Sequence, residues 1–162
     1  MKPRGWVTLS LLAVAVAAAC LWLAPLRPSA MYRIAGFSAL AAALLFAANL
    51  SYAALFQAIK RGAARSFRVR LAKLARKAMP WHIPIGIVGT ALAVVHAGVM
   101  LTQLGVTAHP KTIAGLASLL LLGLTLIAGV LRTRRASGFR RKFHLTAALL
   151  FAASFLVHGY MT

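Results

Sequence analysis

Five apolar stretches, each long enough to cross a lipid bilayer as a helix, alternate with short segments that carry almost every charge. They run from Trp6 to Ala24, Ile34 to Ile59, Trp81 to Leu104, Thr112 to Leu131 and Phe143 to Tyr160. A hydrocarbon core of ~30 Å is spanned by ~20 helical residues. Strands are excluded in such stretches, because an open sheet edge in lipid leaves backbone groups unpaired. The expected fold is therefore all-α, a polytopic bundle of about five membrane-spanning helices. With 62% hydrophobic residues in a chain of 162, one soluble core could not hide this much apolar surface.

Charge then sets the topology. The chain has 19 Lys and Arg and no Asp or Glu. Lys2 and Arg4 precede the first stretch, eight basic residues from Lys60 to Lys77 separate the second and third, and six from Arg132 to Lys142 separate the fourth and fifth. Only Arg27, Arg33 and Lys111 fall on the opposite side. Basic residues concentrate in cytoplasmic loops, so the N-terminus is expected inside and the C-terminus outside, in a plasma membrane of bacterial inner-membrane type. The same charges, flanking apolar segments, point to anionic lipid headgroups and not to nucleic acid. The Ala17–Ala18–Ala19–Cys20 run faintly resembles a lipoprotein cleavage site. Because apolar residues continue beyond it, an uncleaved anchor is expected.

The organisation expected is a single domain over 1–162. Two N-terminal helices occupy 1–60, a basic linker 61–80, and a three-helix core 81–162. Within the linker, Phe67, Leu71, Leu74, Ala75 and Ala78 share one helical face, with Arg68, Lys73, Arg76 and Lys77 elsewhere. That pattern suits a basic amphipathic helix on the inner membrane surface; the plainer alternative is a charged connector that enforces topology. Pro80 and Pro110 suit the first turns of the helices that follow them, and Gly105 suits a helix stop. No internal repeat is evident.

The absence of carboxylates removes general bases, proton relays and hard-cation sites built on acidic oxygens. The single Cys20 rules out an internal disulfide. What remains for chemistry is histidine. His82 and His96 lie fourteen residues apart in the third stretch, and His144 and His158 lie fourteen apart in the fifth. Fourteen residues are nearly four turns, so each pair shares a helix face, separated by ~21 Å along the axis. Both stretches run from inside to outside. His82 and His144 thus share one depth, and His96 and His158 another. Each cross-helix pair can offer two imidazoles to one iron from opposite sides, the requirement of a bis-histidine haem. Zinc would usually take four protein ligands close together. Copper lacks a nearby Cys, and Met79, Met100 and Met161 form no ligand cluster.

Two haem groups are therefore the expected cofactors, with His82, His96, His144 and His158 as iron ligands. Gly86 and Gly89, with Ala93, continue the His82–His96 stripe and would let a flat ring approach the backbone. Ala148, Phe151 and Phe155 continue the other. Arg140, Arg141 and Lys142, just before His144, and Lys77, just before His82, are candidates to pair with haem propionates; the positive-inside rule accounts for the same residues without any haem. Lone membrane histidines also serve as hydrogen-bonded packing residues, and glycine is common at helix contacts. His109, in a loop, has no partner at helical spacing.

The residues from Lys77 to Tyr160 resemble the ferric reductase-like transmembrane domain family. The likeness rests on His82 and His96 in one helix, a histidine-free helix, and then Arg140–Arg141–Lys142–Phe143–His144 opening a helix that carries His158. The resemblance implies two stacked b-type haems, His82 with His144 and His96 with His158. Typical members have six helices, and many add flavin and nicotinamide domains; this sequence has five apolar stretches and no glycine-rich dinucleotide fingerprint. The function expected is transmembrane electron transfer by an oxidoreductase subunit. It would run from a separate inner-side donor, a flavoprotein or quinol, to an outer-side redox acceptor. The alternatives are a non-redox assembly subunit and a transition-metal transporter using histidine relays.

Overall fold

A computed structural model describes residues 28–61, 64–105, 107–135 and 137–161. The first apolar stretch, Trp6 to Ala24, and the Ala17–Cys20 run lie outside the described residues. Among those described, all regular structure is helical: α1 (Pro28–Arg61), α2 (Arg65–Ala78), a 3₁₀ turn (Met79–Trp81), α3 (His82–Leu104), α4 (Pro110–Arg134) and α5 (Gly138–Tyr160). Four helical runs are long and apolar enough to cross a membrane: Pro28–Arg61, Arg65–Leu104, Pro110–Arg134 and Gly138–Tyr160. The last three of the five expected spans and the second are thus accounted for, and the basic linker segment is helical from Arg65 to Ala78.

The surface carries the large apolar side chains and the contacts carry the small ones. Phe37, Leu40, Leu44, Leu120, Ile127 and Leu156 are all exposed, whereas the buried positions include Ala35, Ser38, Ala42, Ser118, Ala128 and Ala147. A water-soluble bundle would bury the first group. In lipid, exposure of leucine costs nothing, and helices associate through small residues that let backbones come close.

The helix ends follow local chemistry that hydropathy does not register. Helix α5 begins five residues before the apolar stretch, at Gly138, because Ser137 caps it: the Ser137 Oγ accepts from the Arg140 N–H at 3.2 Å. Helix α1 likewise begins at Pro28, ahead of Ile34. Gly105, with φ at +71°, stops α3 in the left-handed region as expected. Pro110 opens α4, and His109 is its N-cap, its Nδ1 accepting from the Lys111 N–H at 3.3 Å.

Pro80 does not open an α-helix. It sits in the 3₁₀ turn, where the His82 N–H turns to the Met79 carbonyl instead of that of Ala78. The Tyr52 hydroxyl, from α1, donates to the Ala78 carbonyl in its place, at 2.7 Å. Tyr52 is itself buried. Tyr52→Phe should therefore leave a part-buried carbonyl without that donor and cost about 1–2 kcal/mol. Thermal unfolding of the detergent-solubilised variant against wild type measures this; an unchanged Tm would show that lipid or water replaces the hydroxyl.

The contacts group the chain into two compact units, Met1–Gln103 and Leu104–Thr162. In the first, α1 and α3 are antiparallel neighbours: Met31 meets Gln103, Ala35 meets His96 and Asn49 meets His82. In the second, α4 and α5 pack antiparallel, joined by a Ser118–Ser154 hydroxyl hydrogen bond of 2.8 Å.

Candidate functional site: four seated histidines

Each of the four paired histidines lies on a continuous helix, half-buried, and is held by the other helix of its own unit. The His96 Nδ1 is 3.0 Å from the Ala35 carbonyl oxygen on α1. The His144 Nδ1 is 3.1 Å from the Thr125 carbonyl oxygen on α4, and the His158 Nδ1 is 3.0 Å from that of Lys111. A carbonyl can only accept, so in these three rings Nδ1 carries the proton and donates. A neutral imidazole protonated at Nδ1 has its lone pair on Nε2. That is the tautomer in which histidine ligates a metal while its other ring nitrogen is anchored to a backbone carbonyl. His82 is held differently. Its ring stands edge-on to Tyr52, centroids 5.4 Å apart and planes at 85°, and its backbone carbonyl accepts from the Asn49 Nδ2 at 3.1 Å.

The contacts have a common register. In the second unit, moving fourteen residues along α4, from Lys111 to Thr125, moves fourteen back along α5, from His158 to His144. In the first unit, moving fourteen along α1, from Ala35 to Asn49, moves fourteen back along α3, from His96 to His82. Each unit therefore sets two histidine positions, nearly four turns apart, against an antiparallel partner helix, through both rings in the second unit and through the His96 ring and the His82 backbone in the first.

Helix α4, which has no histidine of its own, supplies more than carbonyls. An ideal Cβ on Gly115 would lie 2.9 Å from the His158 Cε1, and one on Gly129 would lie 3.4 Å from the His144 Cε1. Each glycine is four residues after the carbonyl that its histidine reaches. In an α-helix that is the residue whose N–H shares the carbonyl, and its missing side chain opens the oxygen's second lone pair to the imidazole. The fourteen-residue spacing from Gly115 to Gly129 matches the histidine spacing and was open to sequence reading.

The other predicted site residues fall as follows. Gly86 and Gly89 face α1: a Cβ there would lie 3.0 Å from the Asn49 Nδ2 and 3.0 Å from the Phe46 ring, respectively. The close approach they permit is to a neighbouring helix. Arg140 turns its guanidinium to the end of α4, donating to the Leu131 carbonyl at 2.7 Å and to that of Arg135 at 3.3 Å. A cation at a helix C-terminus complements both the orphan carbonyls and the helix dipole. Arg141 and Lys142 are exposed in the first turns of α5. Phe151 is buried and lies 5.8 Å from Phe155, ring centre to ring centre. Among the described residues no three His, Cys, Asp or Glu side chains gather as a metal site. Comparison with protein-family models, with curated proteins and with solved structures finds no match to this chain.

Proposed function

We propose that the chain is a b-type cytochrome that uses two bis-histidine haems to carry electrons across a bacterial inner membrane. The observation that carries this reading is the ring chemistry of His96, His144 and His158, each donating Nδ1–H to a backbone carbonyl and so keeping its lone pair on Nε2. The hydrogen bond fixes the tautomer and the orientation of each ring, as a metal-ligating histidine requires. The matched fourteen-residue spacing in α3 and α5 adds the second support, since each helix offers one ligand at each of two levels.

In this reading His82 and His144 serve the inner haem, and His96 and His158 the outer one. A haem held by two imidazoles supplies a one-electron iron couple with no open coordination position for oxygen chemistry. The residues of the chain bind and orient the ligands. The flanking cations compensate propionate charge, and Arg141 and Lys142 suit that role better than Arg140, which is engaged on α4. The donor is a separate flavoprotein or quinol on the basic side, and the acceptor a redox partner on the other. Helix α2, with Arg65, Arg68, Arg70, Lys73, Arg76 and Lys77 beside exposed Phe67 and Leu74, suits anionic headgroups on the inner surface.

The full chain, purified from cells with ample haem, should show a Soret band and, on reduction, the sharp α-band of a low-spin b-type haem, with two haems per chain. Haem-free protein from such cells overturns the proposal. The same hydrogen bonds favour one other reading, a structural subunit whose histidines only tie helices together, and that is the reading haem-free protein would support.

A further inference from the structure

We infer that Gly115 and Gly129 are positioning residues, each setting the ring plane of one axial histidine: Gly115 that of His158, and Gly129 that of His144. The inference rests on the two-haem reading and deepens it. Helix α4 has no metal ligand, yet it meets both rings of α5 by the same device, a carbonyl that accepts Nδ1–H and a glycine four residues later. The hydrogen bond fixes Nδ1 as the nitrogen that donates to α4. It leaves rotation about the bond's own axis, and the missing side chain four residues later is what gives the ring room to lie against α4 in the orientation it has, since a Cβ there would come to 2.9 Å at Gly115 and 3.4 Å at Gly129. The orientation of an axial imidazole plane governs the splitting of the iron d-orbitals, and a hydrogen bond to the ligand tunes its basicity.

The two seats differ in tightness. A methyl on Gly115 would come to 2.9 Å from the His158 ring, closer than carbon atoms pack, so the ring must turn or move. A methyl on Gly129 would meet the His144 ring at 3.4 Å, an ordinary contact. The outer seat thus rejects a single methyl, whereas the inner seat accepts one and rejects a branched side chain. Gly123, on the same helix, has open space around its Cβ position and provides the control.

The experiment uses full-length Gly115→Ala, Gly129→Val and Gly123→Ala in membranes. Ferric low-spin haem is read by electron paramagnetic resonance and by potentiometric titration, with haem content measured alongside. The His96→Gln chain, which would retain only the inner haem, assigns the signals. We expect Gly115→Ala to displace the g-values and potential of the outer haem alone, Gly129→Val those of the inner haem alone, and Gly123→Ala neither. A glycine that served only close helix packing would not move one haem's signal selectively. If Gly115→Ala does not accumulate, Gly129→Val carries the test, and an unmoved inner signal overturns the inference. Signals present but unchanged in both variants, or displaced equally at both haems, also overturn it and leave the two-haem reading standing. A wild-type chain with no low-spin haem signal overturns that reading and the inference with it.

Discussion

His96→Gln is expected to halve the haem bound per chain while leaving the remaining haem with an unchanged low-spin spectrum, and His96→Ala should do the same. The comparison of the two variants is what makes the test sharp. In the structure His96 binds the carbonyl of Ala35, a fully buried residue of α1. If that bond were the whole role of His96, glutamine would preserve most of it, since its side-chain amide also donates. Interhelical hydrogen bonds in membranes average ~0.6 kcal/mol and reach ~1.7 kcal/mol, so even alanine would shift stability only modestly. Ligation is different: a side-chain amide does not replace an imidazole on haem iron. Equal haem loss in both variants, with near-normal accumulation of protein, therefore identifies a ligand. Glutamine behaving as wild type, with alanine mildly destabilised, identifies a packing residue. Loss of both haems together in either variant would contradict two separable sites, one served by His96 and His158 and the other by His82 and His144.

The parts of this arrangement that were legible in the sequence are those written in side-chain type at helical period. Apolar length located α1, α3, α4 and α5, and Gly105 and Pro110 marked ends that the backbone respects. The spacing of His82 to His96 and of His144 to His158 places each pair on one helix face. What the sequence hid is written in the backbone. The acceptors of the three Nδ1 bonds are carbonyls of Ala35, Lys111 and Thr125, three residues with nothing in common as side chains, because any residue supplies a carbonyl. The fourteen-residue register of the two units is for the same reason no sequence repeat. A glycine signals close approach without saying to what, and at Gly86 and Gly89 a Cβ would meet Asn49 and Phe46. Arg140 donates to the carbonyls at the end of α4, which offer partial negative charge in a chain that has no carboxylate.

The largest structural effect is expected from Leu120→Asp, set against Phe139→Asp. Both residues are 77% exposed, so by burial alone they are the same kind of site. In water, aspartate at either position would be tolerated, and replacing an exposed apolar side chain would improve solubility. The two differ only in what surrounds them if the helices lie in lipid. Leu120 is near the middle of α4, ten residues after Pro110 and fourteen before Arg134. There a leucine favours insertion and an aspartate opposes it, a swing of about 3 kcal/mol on the insertion scale, or roughly a hundredfold in the ratio of inserted to uninserted helix at about 1.4 kcal/mol per tenfold. Phe139 is in the first turn of α5, beside Arg140, Arg141 and Lys142. An aspartate there meets cations and the positive end of the helix dipole, which favours it by about 0.3–1 kcal/mol. The measurement is the fraction of chain that resists alkaline extraction from membranes. Leu120→Asp should lose most of it and Phe139→Asp none. Equal behaviour of the two variants would place Leu120 in water and remove the bilayer from the account of the fold. The predicted asymmetry would fix the depth at which α4 crosses and set its Lys111 and Arg134 ends at opposite faces. The two levels of histidine contact along that helix, at Lys111 and at Thr125, would then lie at different depths, as the proposed electron transfer across the membrane requires.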